Sequence, residues 1–374
     1  MIKSILRVAF SIVVTAAALS AGPASSRELV YGSWLSPKST TNSITMTQYL
    51  ARIAAATKGE ITWKHLSGGQ VATANGSVDA VKKGIIDAGH AIAPYVPKEL
   101  AATNLLFNTN SVGDDVVGDA GARVETMMLG CPECLEEYRR NNAVSFVGQS
   151  VPPYHLLCRS PIRTVADLKG VKVRSSAGGI SIMTIAGATP VAMTVPEGVT
   201  AMERGTIECS WAVVNWLKNF GYMDVTKYIL DYPLGMAGPP IAFFVNRNVW
   251  KSMTPAQRKA HFDNAAFLVA TEMLEAQLKL DTEVVVEAKQ KGIVFIKGGD
   301  DFRAVMDRHY KEQRPRNVAT AKEHGVKNPD AILDYFEGAI AKWNRLSKDI
   351  GTDKEKFIQA LQREIYGKID PEKL

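Results

Sequence analysis

Hydrophobic and polar positions along this chain switch between a period near two and a period near 3.6, and the switches fall at glycines. "ELVYGSW" reads as a strand, a helical stretch follows from Ile44 to Ala56, and "EITWKH" alternates as a second strand. After the turn "SGGQ" helix resumes to Lys83, Gly84 stops it, and "IIDAGHAI" follows as a strand. The same order returns downstream. In "TVADLKG" Thr164 caps a short helix with Asp167 three residues on, Gly170 ends it, and "VKVRS" alternates as a strand. In "VPEGVTAMERG" Pro196 sits in the first turn and Gly205 at the end, and "TIECSWA" alternates after it. Strands alternating with helices predict an α/β fold with a parallel sheet covered by helices.

Two of these stretches echo each other. "VDAVKKGIIDAGHA" (78–91) and "VTAMERGTIECSWA" (199–212) share valine, alanine, glycine, isoleucine and the final alanine at one constant offset. Chance repetition of the common helix-glycine-strand order is one reading; equivalent units in two α/β domains is the other. On the second reading His90 and Trp211 hold matching positions at the carboxyl ends of two strands, the edge where open parallel sheets bind ligands. Two such edges facing each other make an interdomain cleft with His90 on one wall and Trp211 on the other.

The run from Thr254 to Gly292 ties the domains together. "TPAQ" is a capping box with Pro255 in the first turn, and Phe262, Ala266, Val269, Met273, Leu280 and Val284 recur at helical spacing. At ~1.5 Å per residue one helix here is roughly 55 Å long, beyond the ~30 Å of a small domain, so it braces both. Two helices broken between Gln277 and Asp281 are the alternative. The division expected is 27–151 with 241–280 in one domain, and 152–240 with 281–374 in the other.

Composition then narrows the class. The chain has 374 residues, 46% of them hydrophobic, which suits packed cores and about two domains. Lys3 and Arg7 precede a short apolar run, Val8 to Leu19, and small residues ending Ala24-Ser25-Ser26 follow it, the pattern of a secretory signal peptide over 1–26. That run is short of the ~20 residues a membrane span needs. An uncleaved anchor is the alternative. Formal charge is +6, and +4 once Lys3 and Arg7 leave with the signal, with no Lys/Arg run to suggest nucleic acid. Cys131 and Cys134 form one CxxC, whereas a four-thiolate zinc site usually shows two, and the flanking "MMLG" and "LEEYRR" read as helix rather than a redox turn. Structural disulfides or free thiols, Cys158 and Cys209 included, are expected. No G-x-S-x-G, H-E-x-x-H or S-x-x-K occurs, the six histidines lack ligand spacing, and "RSSAGG" lacks a P-loop lysine. Neither cofactor nor metal is expected, and an exported hydrolase is a weaker reading.

Several landmarks in order resemble the solute-binding proteins of tripartite ATP-independent periplasmic (TRAP) transporters, the dicarboxylate-receptor type. They are "LVYGSWLSPKSTTN", "SGGQVATANGSVDAVKKGIIDAGHA", "SPIRTVADLKGVKVRSS", "GATPVAMTVPEGVTAMERGTIECSW", "FFVNRNVWKSMTPAQRKA" and the long helix after it. The resemblance covers nearly the whole mature chain. It implies a two-domain periplasmic-binding-protein-like fold with a hinged cleft, periplasmic location, no enzymatic activity, and delivery of a captured organic acid to membrane permease subunits. A sensor or adaptor that binds without transport shares these features. The resemblance also places the ligand carboxylate on the arginine of "GVKVRSS", Arg174, and a guanidinium can clamp a carboxylate with two parallel donors.

Departures from the family pattern point to the rest of the ligand. The amide expected after the last strand is replaced by Trp211 or Ala212, with Asn215 further on as the candidate substitute. A second arginine expected before "SPIRT" is absent, with Tyr154 and His155 there instead. Trp34, Tyr95, Tyr154, Trp211 and Trp216 form the candidate aromatic wall. The expected ligand is a monocarboxylate with a bulky apolar, aromatic or cationic portion, zwitterions included, in preference to succinate or malate.

Overall fold

The computed structural model describes residues 26–374; the expected signal peptide, through Ser25, lies outside the described residues. Eleven strands form two sheets. The first draws on β1 (Arg27–Gly32), β2 (Ile61–Leu66), β3 (Ala88–Ala91) and β4 (Ala143–Ser145). The second draws on β5 (His155–Cys158), β6 (Lys172–Ser175), β7 (Thr189–Ala192), β8 (Cys209–Ala212) and β9 (Tyr228–Asp231). Then β10 (Ile241–Asn246) returns to the first sheet and β11 (Val294–Lys297) to the second. The orders are β2-β1-β3-β10-β4 and β11-β9-β5-β8-β6-β7.

The sequence echo is therefore a repeat of fold. In each sheet three parallel strands, β2-β1-β3 or β7-β6-β8, meet one antiparallel strand that the chain delivers from the other half, β10 or β5. Each echoed unit is a helix, a left-handed glycine and a four-residue strand. The helices are Ser77–Lys82 and Val195–Glu203, and Gly84 and Gly205 have φ of +72° and +71°. A side chain at φ near +70° is strained, so both turns need glycine. The expected caps are present as well: Thr164 with Asp167, and Thr254 with Gln257, each pair reciprocally hydrogen-bonded.

Apolar side chains collect in one large cluster around the first sheet and two smaller ones on the second. The brace is one helical run from Pro255 to Gln290, irregular at Asn264 and widened to π-helix over Glu272–Leu278. Phe262, Ala266, Val269 and Met273 pack into the first cluster, and Leu280 and Val284 into a cluster of the second sheet. Neither uninterrupted helix nor a break at 277–281 describes it. A second brace was not foreseen. Asp300–Glu323 puts Phe302, Val305 and Met306 on the second sheet, then Val318 and Ala321 on the first. Having recrossed, the chain places Phe336, Trp343, Phe357 and Leu361 in the first cluster, although 281–374 was expected with the second domain.

Both cysteine pairs are disulfides. Cys158 and Cys209 face each other across β5 and β8, and Cys131 and Cys134 sit in the first turn of the helix Pro132–Arg140. No helix among the described residues is long and apolar enough to cross a membrane.

Candidate ligand-binding cleft

The carboxyl ends of β1 and β3 in one sheet and of β6 and β8 in the other open onto a shared, tightly closed cleft with about 60 Å³ of free volume. Seven of the eight residues singled out from the sequence line it: Trp34, His90, Tyr95, Tyr154, Arg174, Asn215 and Trp216. Arg174 is the only Lys, Arg, Asp or Glu among the lining residues.

Arg174 is fully buried. Its Nε donates to the Met193 carbonyl at 3.1 Å, one terminal nitrogen to the Trp211 carbonyl at 3.3 Å, and the other to the Tyr95 hydroxyl at 3.4 Å. The guanidinium carbon lies 5.4 Å from the centre of the Trp216 ring. Among the described residues no carboxylate pairs with it. Glu197 feels its charge, but that carboxylate caps its own helix through the Thr194 backbone and hydroxyl, the contacts that chiefly hold its pKa low. Arg123, the other fully buried arginine, shows what a structural role looks like. It binds Asp119 at 2.7 Å and four further acceptors: the Leu106, Gly238 and Thr109 carbonyls and the Ser111 hydroxyl. A buried charge without a counter-ion is costly.

The helix Val195–Glu203 presses close to this guanidinium because Gly198 allows it. A Cβ there would fall 2.4 Å from the Tyr222 hydroxyl and 3.1 Å from Arg174 Cγ. Tyr95 reaches across from the loop after β3. Its oxygen also accepts the Val195 N–H at 3.1 Å, so its own proton points to neither partner. Burial drives the Tyr95 hydroxyl pKa upward, which keeps it a donor. His90 is buried with its pKa pushed down to about 3 by desolvation, so the ring is neutral.

Trp211 corrects the sequence expectation. Arg174 pairs in register with Ser210, and alternation sends the next side chain to the opposite face. The Trp211 indole lies there, fully buried beneath the helix Gly178–Ile185, where Gly179 makes room for it. Its part in the cleft is indirect: Tyr154 lies flat on it, centroids 3.4 Å apart and planes 4° from parallel. The aromatic wall that lines the cleft is Trp216, edge-on to Tyr154 at 5.8 Å, together with Trp34 and Phe220, stacked at 6.3 Å. His155 turns its ring to the Leu230 carbonyl instead.

Sequence reasoning missed Phe220, Gln149 and Gln277, which also line the cleft. None stands near a recognisable motif; Gln149 lies on the first crossing and Gln277 on the π-helical turn.

Residues 32–316 match bacterial extracellular solute-binding protein family 7, DctP. The chain belongs to this family. Its members are solute-binding proteins of TRAP transporters rather than enzymes, and they work outside the cytoplasmic membrane with membrane permease partners. A monocarboxylate 2-oxoacid-binding periplasmic protein of Nostoc is 21% identical over 322 residues, 84% of this chain and 85% of that one. Among solved structures, a marine metagenome TRAP protein specific for aromatic acid ligands, in complex with 3-hydroxybenzoate, superposes with a TM-score of 0.75. It shares 19% identity and covers 85% of this chain and 99% of its own. A TRAP protein of Rhodoferax ferrireducens holding benzoate gives 0.74 at 18% identity, with 86% and 99% covered. These likenesses fix the architecture of this family 7 receptor as two lobes around a cleft.

Proposed function

We propose that this receptor captures a monocarboxylate with an aromatic or similarly flat apolar body and hands it to the TRAP permease. Export through an amino-terminal signal peptide is part of the proposal. One observation carries the ligand class: a fully buried arginine without an acidic partner is the sole charged residue lining an aromatic cleft. The ligand carboxylate pairs with Arg174 and accepts a hydrogen bond from the Tyr95 hydroxyl, while Trp216, Tyr154, Trp34 and Phe220 enclose the body. A second carboxylate would be buried without a cation, which strongly disfavours succinate and malate. The two solved relatives that hold aromatic acids support the same class.

The two lobes are proposed to close on the ligand about the segments that join them, with the helical runs 255–290 and 300–323 as braces. A thermal-shift screen of benzoates, phenylacetates, betaine-like zwitterions and dicarboxylates tests the reading, because a ligand that binds only the folded form raises the melting temperature. Aromatic monocarboxylates should give the largest shifts; equal or larger shifts with succinate or malate would refute it.

A further inference from the structure

Behind the aromatic wall lies a carboxyl that the carboxylate site does not use. Glu272 is fully buried on the π-helical turn and has no cationic partner among the described residues. Four donors converge on it. Thr45 binds Oε2 at 2.6 Å, and Thr41, Gln149 and Gln277 bind Oε1 at 2.8, 3.2 and 2.7 Å. Burial pushes its pKa up and the donors pull it back; in either protonation state Oε1 remains an acceptor of three bonds.

That acceptor fixes the direction of every amide in contact with it. Gln149 must present its NH2 to Glu272, which leaves Gln149 Oε1 facing elsewhere. Gln277 must do the same, so its Oε1 accepts from Asn215 Nδ2 at 2.8 Å, and this in turn leaves Asn215 Oδ1 over. Reversing any amide would set oxygen against oxygen. Among the described residues neither remaining oxygen has a hydrogen-bond donor; both are buried, and both belong to residues that line the cleft. An unmatched buried acceptor is costly, so two on one cleft mark a ligand's missing donor.

We infer that the cleft selects acids carrying, besides the carboxylate, a hydrogen-bond donor, a hydroxyl or an ammonium. Glu272 imposes this preference through Gln149, Gln277 and Asn215. The inference rests on the Arg174 reading of the site. Asn215 is itself held from behind, its backbone N–H donating to Asp281 at 2.8 Å, and its oxygen cannot swing away without breaking the side-chain bond to Gln277.

Calorimetry with matched acids tests it. Benzoate, its three hydroxy isomers and their methyl ethers form one series; phenylacetate, mandelate and phenylglycine form another. The best hydroxybenzoate should bind at least tenfold tighter than benzoate and than its own methyl ether, which offers only an acceptor. Mandelate and phenylglycine should both exceed phenylacetate, and whichever is tighter tells hydroxyl from ammonium. In Glu272→Gln the amides are free to reverse, and the hydroxy-to-methoxy ratio should fall below threefold; Gln149→Leu should lower it also. Should neither variant fold, the wild-type series decides alone. Methyl ethers binding within threefold of every hydroxy isomer, with benzoate binding lost in Arg174→Ala, would overturn this inference and leave the carboxylate site standing. Benzoate binding unchanged in Arg174→Ala would bring down both.

Discussion

Arg174 and Trp211 are neighbours in space on opposite faces of one sheet, and the difference is one position of strand register. Arg174 pairs with Ser210, so Trp211 belongs to the face covered by the helix Gly178–Ile185 and Trp216 takes the wall. The arginine was legible in the sequence because its motif is local. The tryptophan's direction was not, because it depends on the long-range pairing of β6 with β8, which sets Arg174 opposite Ser210. The Glu272 relay was equally hidden: Thr41, Gln149, Asn215 and Gln277 converge only once the fold has formed. Two substitutions separate the roles. Trp216→Ala should weaken benzoate binding at least tenfold with little loss of melting temperature. Trp211→Ala should cost about 3–5 kcal/mol of stability by opening a cavity in the core. Calorimetry and thermal melts on both variants check the pair; a stable Trp211→Ala with lost binding would reverse the assignment.

Among the elements, the helical run 255–290 departs most from its sequence pattern. Its apolar positions were read correctly, since each lands in a core, but hydrophobic spacing does not report a π-helical turn. That turn carries buried polar contacts, with Glu272 at one end and Gln277 near the other. Just beyond it Asp281 is desolvated, its pKa pushed up to about 7, and the Asn215 contacts offset this only in part. A carboxyl raised in the folded state contributes stability that is fully present below its unfolded value, near pH 4, and is lost as pH rises through about 7. Asp281→Asn keeps the acceptor for the Asn215 N–H and removes the titration. The variant should melt with the wild type at pH 4 and be more stable at pH 8, by roughly 1 kcal/mol or more. Equal melting at both pH values would show that Asp281 does not titrate in this range.

At the scale of the whole molecule the repeat explains why one chain folds into two similar lobes. The helix-glycine-strand unit announces each parallel sheet, while the strand exchange that sends β10 back and β5 forward leaves no local signal. The same holds for the helix Asp300–Glu323, whose two ends serve different cores and so blur into one weakly patterned stretch. Tyr95 of the first lobe already touches Arg174 and Val195 of the second. Closure around a ligand should therefore be visible as a smaller radius of gyration by small-angle scattering with saturating benzoate or hydroxybenzoate. Tyr95→Phe should weaken binding roughly ten- to a hundredfold, the worth of one hydrogen bond to a charged group. Superimposable curves with and without ligand would indicate a rigid cleft.

The central claim is that Arg174 holds the single carboxylate of an aromatic acid, and calorimetric competition between benzoates and succinate on wild type and Arg174→Ala tests it most directly. The account predicts that wild type prefers the aromatic acid over succinate by at least tenfold, and that Arg174→Ala loses about 2–5 kcal/mol of that binding while its melting temperature holds. Succinate binding as tightly as every aromatic acid, or Arg174→Ala retaining wild-type affinity, would contradict it.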